Sequence, residues 1–204
     1  MTYIRYTDIR QLTDGDRQRL YDQAGPHRQQ KAQRCRQQED FDRCIVAEAL
    51  LRYSVGTGDY QVERTPQGKP YLKDRQDVHF NLTHSGPWVA IAWSDAPVGL
   101  DVEVFREKVQ CQKLARQFFC PDEQAYLQAE PSEELSRFFL LWTKKESYLK
   151  YLGTGLTKSL RSFSVLEPEK LGVCFVTQDL EGATLTLCAQ TPEVDFRPLP
   201  LEEL

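Results

Sequence analysis

The run Val98-Gly99-Leu100-Asp101-Val102-Glu103-Val104 decides how this chain is read. Val98, Leu100, Val102 and Val104 alternate with Asp101 and Glu103, and successive side chains of a strand point to opposite faces. The spacing therefore predicts a β-strand whose apolar face turns inward while two carboxylates project together from the other face. Like charges at i and i+2 repel unless solvent or a cation stands between them.

Upstream, Val78–Leu82 and Trp88–Trp93 are short β-rich runs, and Thr83-His84-Ser85-Gly86-Pro87 between them reads as a turn. Ser94-Asp95-Ala96-Pro97 is a second turn and the best boundary, dividing the chain into residues 1–95 and 96–204. Phe41–Tyr53 carries Ile45, Val46, Ala49 and Leu50 at helical intervals, with Gly56-Thr57-Gly58 as its terminator. A further helix is predicted after Pro26, a good first helical residue. No acidic residue lies between Asp22 and Glu39, and Arg28, Lys31 and Arg34 recur along one side of that helix. This pattern is either a solvated face or a phosphate-binding one.

Downstream, helical patterns cover 112–119, 121–129 and a long stretch from Ser132 to about Leu152. Ser132 is the expected N-cap of the long helix. Trp142, Glu146 and Lys150 are spaced by four and share one side of it, and Gly153-Thr154-Gly155 ends it. β-type runs follow at 173–176 and 184–187, inside an acidic C-terminal part.

The bulk numbers fit a soluble globular protein. The chain has 204 residues, 26 Lys+Arg against 30 Asp+Glu for a net charge of −4, and 40% hydrophobic residues. Those proportions argue against disorder, a fibrous repeat or a membrane bundle, and the length fits one domain or two small ones packed together. No window holds 18 consecutive apolar residues, so no transmembrane helix is expected. The start, Met1-Thr2-Tyr3-Ile4-Arg5-Tyr6, lacks a basic stretch followed by an apolar run, so a secretory leader is not expected. Cys35, Cys44, Cys111, Cys120, Cys174 and Cys188 include no C-x2-C pair, which points to reduced cysteines and a cytoplasmic location. Mild acidity gives no reason to expect a nucleic-acid partner.

Asp101, Glu103 and Glu146 together form a set of hard oxygen ligands. Such ligands suit Mg²⁺, which binds a few carboxylates together with substrate phosphates and water. Alone, each piece has a plain reading: a solvated strand edge, an i, i+4 ion pair, a histidine in a turn. Their order carries more. Gly68-Lys69-Pro70-Tyr71, then Phe80-Asn81-Leu82-Thr83-His84-Ser85-Gly86, then Val98–Glu103, then Phe118-Phe119, then Trp142-Thr143-Lys144-Lys145-Glu146-Ser147-Tyr148-Leu149-Lys150, then Gly153-Thr154-Gly155-Leu156 resembles the 4'-phosphopantetheinyl transferase superfamily. The resemblance is closest to the longer, pseudo-dimeric type that activates peptide and polyketide synthases, rather than the shorter type serving fatty-acid biosynthesis. It covers residues 25–165 well and the ends weakly.

The resemblance implies an α/β (α+β) fold of two similar halves related by a pseudo-two-fold, with coenzyme A in the cleft between them. It implies transfer of the 4'-phosphopantetheine arm to a serine of an acyl or peptidyl carrier protein, with release of 3',5'-adenosine bisphosphate. Asp101, Glu103 and Glu146 match the magnesium ligands, with Mn²⁺ as a substitute ion. Gly68, Lys69 and Pro70 match the segment around the adenine. Arg28, Lys31, Arg43 and His84 match phosphate contacts, with Thr83 beside them. Lys145 and Lys150 match lysines near the pyrophosphate. From these matches Glu146, directly or through a metal-bound water, is the expected base, Lys150 the group that stabilises or protonates the leaving phosphate, and Asp101 a catalytic partner. A monomer is expected, since two halves already supply a cleft. The sequence departs from the family pattern at Thr154, where a lysine is frequent, and at Cys120, where a capping serine is common. An inactive coenzyme A-binding or carrier-docking module, or a metal-dependent nuclease, are the alternatives; the nuclease is disfavoured because Val104-Phe105 follows Glu103 where a Glu-x-Lys is needed.

Overall fold

The computed structural model describes residues 1–56 and 60–204, so Thr57 and Gly58 of the expected helix terminator lie outside the described residues. In chain order the elements are β1 (Thr2–Asp8), α1 (Asp14–Gln23), α2 (Pro26–Gln33), α3 (Gln38–Val55), β2 (Val62–Arg64), β3 (Pro70–Leu72), β4 (His79–Ser85), β5 (Trp88–Ser94) and β6 (Gly99–Val104). They continue with α4 (Cys111–Phe118), α5 (Pro121–Gln128), α6 (Glu134–Leu152), α7 (Pro168–Leu171), β7 (Cys174–Leu180), β8 (Ala183–Ala189) and β9 (Val194–Pro198). The fold is mixed α+β. No helix is long and apolar enough to cross a membrane among the described residues.

Two main sheets form, in the orders β4-β5-β1-β9 and β6-β8-β7, beside a small β2-β3 ribbon. Alternation along the strands places each sheet between two partners. Val89 and Ile91 of β5, with Phe80 of β4, face Ile45 and Leu50 of α3. Ala90 and Ala92 of β5 and Ile4 of β1 face the other way, onto Val98, Leu100 and Val102 of β6 and Leu185 and Leu187 of β8. A separate core joins Phe138, Leu141 and Leu149 of α6 to Phe119 and Leu127. The layers thus run helix, sheet, sheet, helix. The last strand, β9, returns to pair in parallel with β1, so the first sheet is completed from the far end of the chain.

The quoted run behaves as its alternation predicts: Leu100 and Val102 are sealed in the inter-sheet core, while Asp101 and Glu103 share the opposite face. Gly99 lies on the carboxylate side. A Cβ there would stand 2.0 Å from Ser147 O and 2.3 Å from Tyr151 N, so only glycine lets α6 settle onto β6. That close approach brings Glu146 and Lys150 over the strand's two carboxylates.

Three local expectations change. Thr83, His84 and Ser85 are not a turn; β4 runs through all three, and only Gly86-Pro87 reverses the chain, with Gly86 at φ 53°. Ser132 does not cap α6. Its hydroxyl bonds to Glu130 within a single 3-10 turn, and the α-helix begins two residues later. Cys120 does precede α5, and Glu123 accepts its backbone N–H at 2.8 Å, supplying the return half of a capping box. The Cys120 thiol, however, donates to Arg161 O and Phe163 O, so it serves tertiary structure as well.

Candidate active site

The edges of the two main sheets, β4 and β6, are joined by side chains. Asn81, Thr83 and Ser85, alternate residues of β4, accept the backbone N–H groups of Leu100, Val102 and Val104 at 2.7, 3.3 and 3.3 Å. This ladder satisfies donors that an edge strand otherwise leaves bare. It also sets the register between halves, so that Thr83 lies against Asp101 and Ser85 donates to Glu103 at 2.9 Å.

Asp101 is 5% exposed. Its Oδ1 accepts from Lys150 Nζ at 2.6 Å, and Lys150 also donates to Leu100 O and Thr83 Oγ1. Its Oδ2 is enclosed and has no hydrogen-bond partner among the described residues. Burial pushes the Asp101 carboxyl up to about 7; Lys150 opposes the shift, and the neighbouring charges of Glu103 and Glu146 add to it. Burial also raises Glu146, with Lys150 pulling the other way and Glu103 reinforcing. Three carboxylates and one lysine therefore feel each other across the β6–α6 contact. Glu103 is further held by Arg106 at 3.0 Å.

Two cavities flank this cluster. One, of about 310 Å³, is lined by Gly68, Lys69, Pro70, Glu146 and Lys150, and closed by Gly153 and Gly155. The other, of about 370 Å³, is lined by Arg28, Lys31, Arg43 and His84. Pro70, Asn81 and Leu82 belong to both, so the cavities adjoin. Adjacent residues of β4 thus serve different sides: Thr83 reaches Lys150 and His84 reaches the cationic cavity. Desolvation, together with Arg43, Lys150 and Lys31, holds the His84 pKa below its ordinary value. Arg28 is paired with Glu48 at 2.8 Å, and Arg43 with Asp40 and with Gly86 O; Lys31 forms no ion pair among the described residues. Arg28 and Lys31 of the helix-face pattern become one wall of a concave site, while Arg34 is not in its lining.

Lys69 contributes differently from its neighbours. Its Nζ bonds Val98 O at 3.1 Å and Tyr151 O at 3.0 Å, and burial lowers its pKa to about 8. Its stem lines the cavity while its amine ties β6 to the C-terminal turn of α6, where backbone carbonyls lack helical partners. Lys145, also expected near the pyrophosphate, lies apart from this cluster. It is 0% exposed and its Nζ bonds Glu123 Oε2, Leu160 O and Phe163 O. The ammonium is fully enclosed with a fully enclosed carboxylate, and its three donors are used within the fold. Thr154 Oγ1 is enclosed without a partner among the described residues, next to the two glycines of the first cavity.

A metal is implied by the chemistry of these donors. Among the described residues no three His, Cys, Asp or Glu side chains stand together as a formed metal centre. The donor set nevertheless fits a hard cation: Asp101 Oδ2 lacks a partner, and Glu103 and Glu146 press on it with like charge. The joint ladder, Asn81 above all, was not found from sequence. Its signal is a period-two run of small polar side chains in a strand otherwise flanked by apolar residues.

Comparison with known proteins agrees along the whole chain. Residues 97–191 match the 4'-phosphopantetheinyl transferase superfamily, and residues 16–96 match the family described as 4'-phosphopantetheinyl transferase, N-terminal. The chain is 31% identical to 4'-phosphopantetheinyl transferase Sfp of Bacillus subtilis (strain 168), over 99% of this chain and 98% of that protein. It is 32% identical to 4'-phosphopantetheinyl transferase gsp of Aneurinibacillus migulanus over 72% of this chain and 63% of that protein. It is 35% identical to 4'-phosphopantetheinyl transferase AcpT of Salmonella typhimurium over 62% and 65% respectively.

Proposed function

The chain belongs to the 4'-phosphopantetheinyl transferase superfamily and is a transferase that modifies carrier proteins, and from that premise we propose how its cleft performs the reaction. Coenzyme A lies across the two adjoining cavities. Its phosphates meet Arg28, Lys31, Arg43 and His84, and its adenine lies by Gly68, Lys69 and Pro70. The two halves, 1–95 and 96–204, are pseudo-equivalent. In each, a leading strand (β1 or β6) pairs with the second strand of a later hairpin (β4-β5 or β7-β8) and a long helix (α3 or α6) covers one face.

Asp101, Glu103 and Glu146 are the residues that would hold Mg²⁺, or Mn²⁺ in its place. When bound, the ion supplies positive charge against the pyrophosphate. The carrier-protein serine hydroxyl attacks the β-phosphorus, a new P–O bond forms, and the bond to the bridging oxygen breaks. 3',5'-adenosine bisphosphate leaves. Glu146 takes the hydroxyl proton; its raised pKa brings it nearer the working pH of a base. Lys150, already at 2.6 Å from Asp101, offsets charge developing on the leaving phosphate. The protein acts as a monomer, in a cytoplasm that keeps its six cysteines as thiols.

The observation that supports this reading most is the buried Asp101 with one oxygen on Lys150 and the other on nothing. An inactive binding module gains no advantage from such a group, since an unpaired buried carboxylate oxygen is destabilising. The test is to incubate the protein with coenzyme A, Mg²⁺ and several apo carrier proteins and read the carriers by intact mass. Gain of a phosphopantetheine arm that disappears with a chelator is expected. Coenzyme A binding without transfer to any carrier would favour the inactive module.

A further inference from the structure

Asn81 joins the two sheets and also stands where the two cavities meet. It lies in both linings, with Pro70 and Leu82, and is 5% exposed. Its Oδ1 accepts the Leu100 N–H at 2.7 Å. A backbone N–H only donates, so this contact fixes which end of the amide is oxygen. The other end, Nδ2, carries two donors. Among the described residues it has no hydrogen-bond partner, and it is not among the sealed, unpartnered atoms, which are Asp101 Oδ2 and Thr154 Oγ1. The amide nitrogen is thus without a hydrogen-bond partner among the described residues, on a side chain that lines both cavities.

The rest of the ladder shows that an amide is not needed for the joint. Thr83 and Ser85 make the same bond to β6 with a hydroxyl. What Asn81 adds is a donor pair held rigidly by the acceptor at the other end of the same planar group. We infer that Asn81 is a substrate-binding residue, its Nδ2 donating to an acceptor atom of coenzyme A where that molecule passes from the cationic cavity to the carboxylate one. The inference rests on the coenzyme A site proposed above. It gives the β4 ladder two functions: two rungs place Asp101 and Glu103, and the third grips the substrate.

The experiment measures coenzyme A binding by calorimetry in Mg²⁺, with thermal melts, for the native protein, Asn81→Thr and Asn81→Asp. Asn81→Thr keeps a hydroxyl for Leu100 N–H, as at position 83, and removes the donor without adding charge. Asn81→Asp keeps the acceptor and the shape. Asn81→Thr is expected to melt within roughly 2–4 °C of the native protein, and Asn81→Asp, which puts a carboxylate at a buried position, lower than that. Coenzyme A should bind roughly five- to tenfold more weakly to Asn81→Thr, the size of one lost hydrogen bond, and more weakly still to Asn81→Asp. Native affinity in Asn81→Thr overturns the inference, even where Asn81→Asp is impaired, because charge alone would then account for the loss. Should Asn81→Thr not fold, native affinity in Asn81→Asp overturns it equally. Failure of the native protein itself to bind coenzyme A removes the site reading rather than the part Asn81 plays in it.

Discussion

Helix α6 carries two lysine–carboxylate pairs five residues apart, and they have opposite characters. Lys145 and Glu123 are both 0% exposed and 2.8 Å apart. Lys145 has three acceptors for three donors, and its ammonium sits 4.5 Å from the centre of the Phe163 ring. Glu123 also accepts from Cys120 N and Val165 N, so both its oxygens are used. Lys150 and Asp101 are closer, at 2.6 Å, but Lys150 is 29% exposed and Asp101 Oδ2 has no partner. The first pair is closed chemistry. It pins the segment after α6 to α5, and leaves nothing for a ligand. The second is open chemistry, with an oxygen and a raised pKa held in reserve at a cavity wall. Each ammonium has three acceptors; the exposure of Lys150 and the unpartnered oxygen of its carboxylate separate site from structure.

The sharpest way to break this contrast is at the open pair's neighbour. Glu146→Gln should cut the rate of phosphopantetheine transfer about 10²- to 10⁴-fold, the range for a lost general base, with an unchanged melt. Normal turnover by intact mass would remove the base assignment. At the closed pair the effect should appear in stability instead. Lys145→Met leaves Glu123 buried and unpaired, and chemical denaturation should show a loss of about 3–5 kcal/mol. The variant that remains folded should transfer at close to the native rate; a selective loss of rate would place Lys145 back in the chemistry.

Lys150→Ala sharpens the comparison from the other side. Loss of a charge-stabilising group predicts about a 10²-fold lower rate in steady-state assays, whereas unchanged kinetics would leave only an ion pair. The smallest effect concerns pH. The Asp101 carboxyl is pushed from 3.8 up to about 7, so the folded state retains a proton that the unfolded chain has released. Stability from this group therefore falls as pH rises from about 4 to about 7. Asp101→Asn removes that loss. In Mg²⁺-free buffer it should be more stable than the native protein at pH 8, with the gap closing near pH 4. A variant equally destabilised at both values would contradict the assignment.

Sequence made the β6 strand and the Trp142, Glu146, Lys150 side of α6 legible, because alternation and helical spacing are local. The same spacing also separates Lys145 from that side: it precedes Glu146 by one residue, about 100° around the helix. The family resemblance sets it near the pyrophosphate by motif position alone. The strand character of Thr83-His84-Ser85 was hidden by turn-forming residue types next to Gly86-Pro87. Those polar residues belong in a strand only because β6 arrives 18 residues later to use their side chains. The return of β9 to β1, and the close seat of α6 on Gly99, depend on long-range packing that no local pattern announces.

The central claim is that strand and helix carboxylates converge on one divalent cation at the open pair and not at the closed one. Mn²⁺ titration followed by electron paramagnetic resonance tests it most directly, on the native protein, Asp101→Asn, Glu146→Gln and Lys145→Met. The account predicts one bound ion in the native protein and in Lys145→Met, and binding weakened at least about tenfold in the other two, more than a single neutral hydrogen bond supplies. Equal Mn²⁺ binding in all four proteins would contradict it.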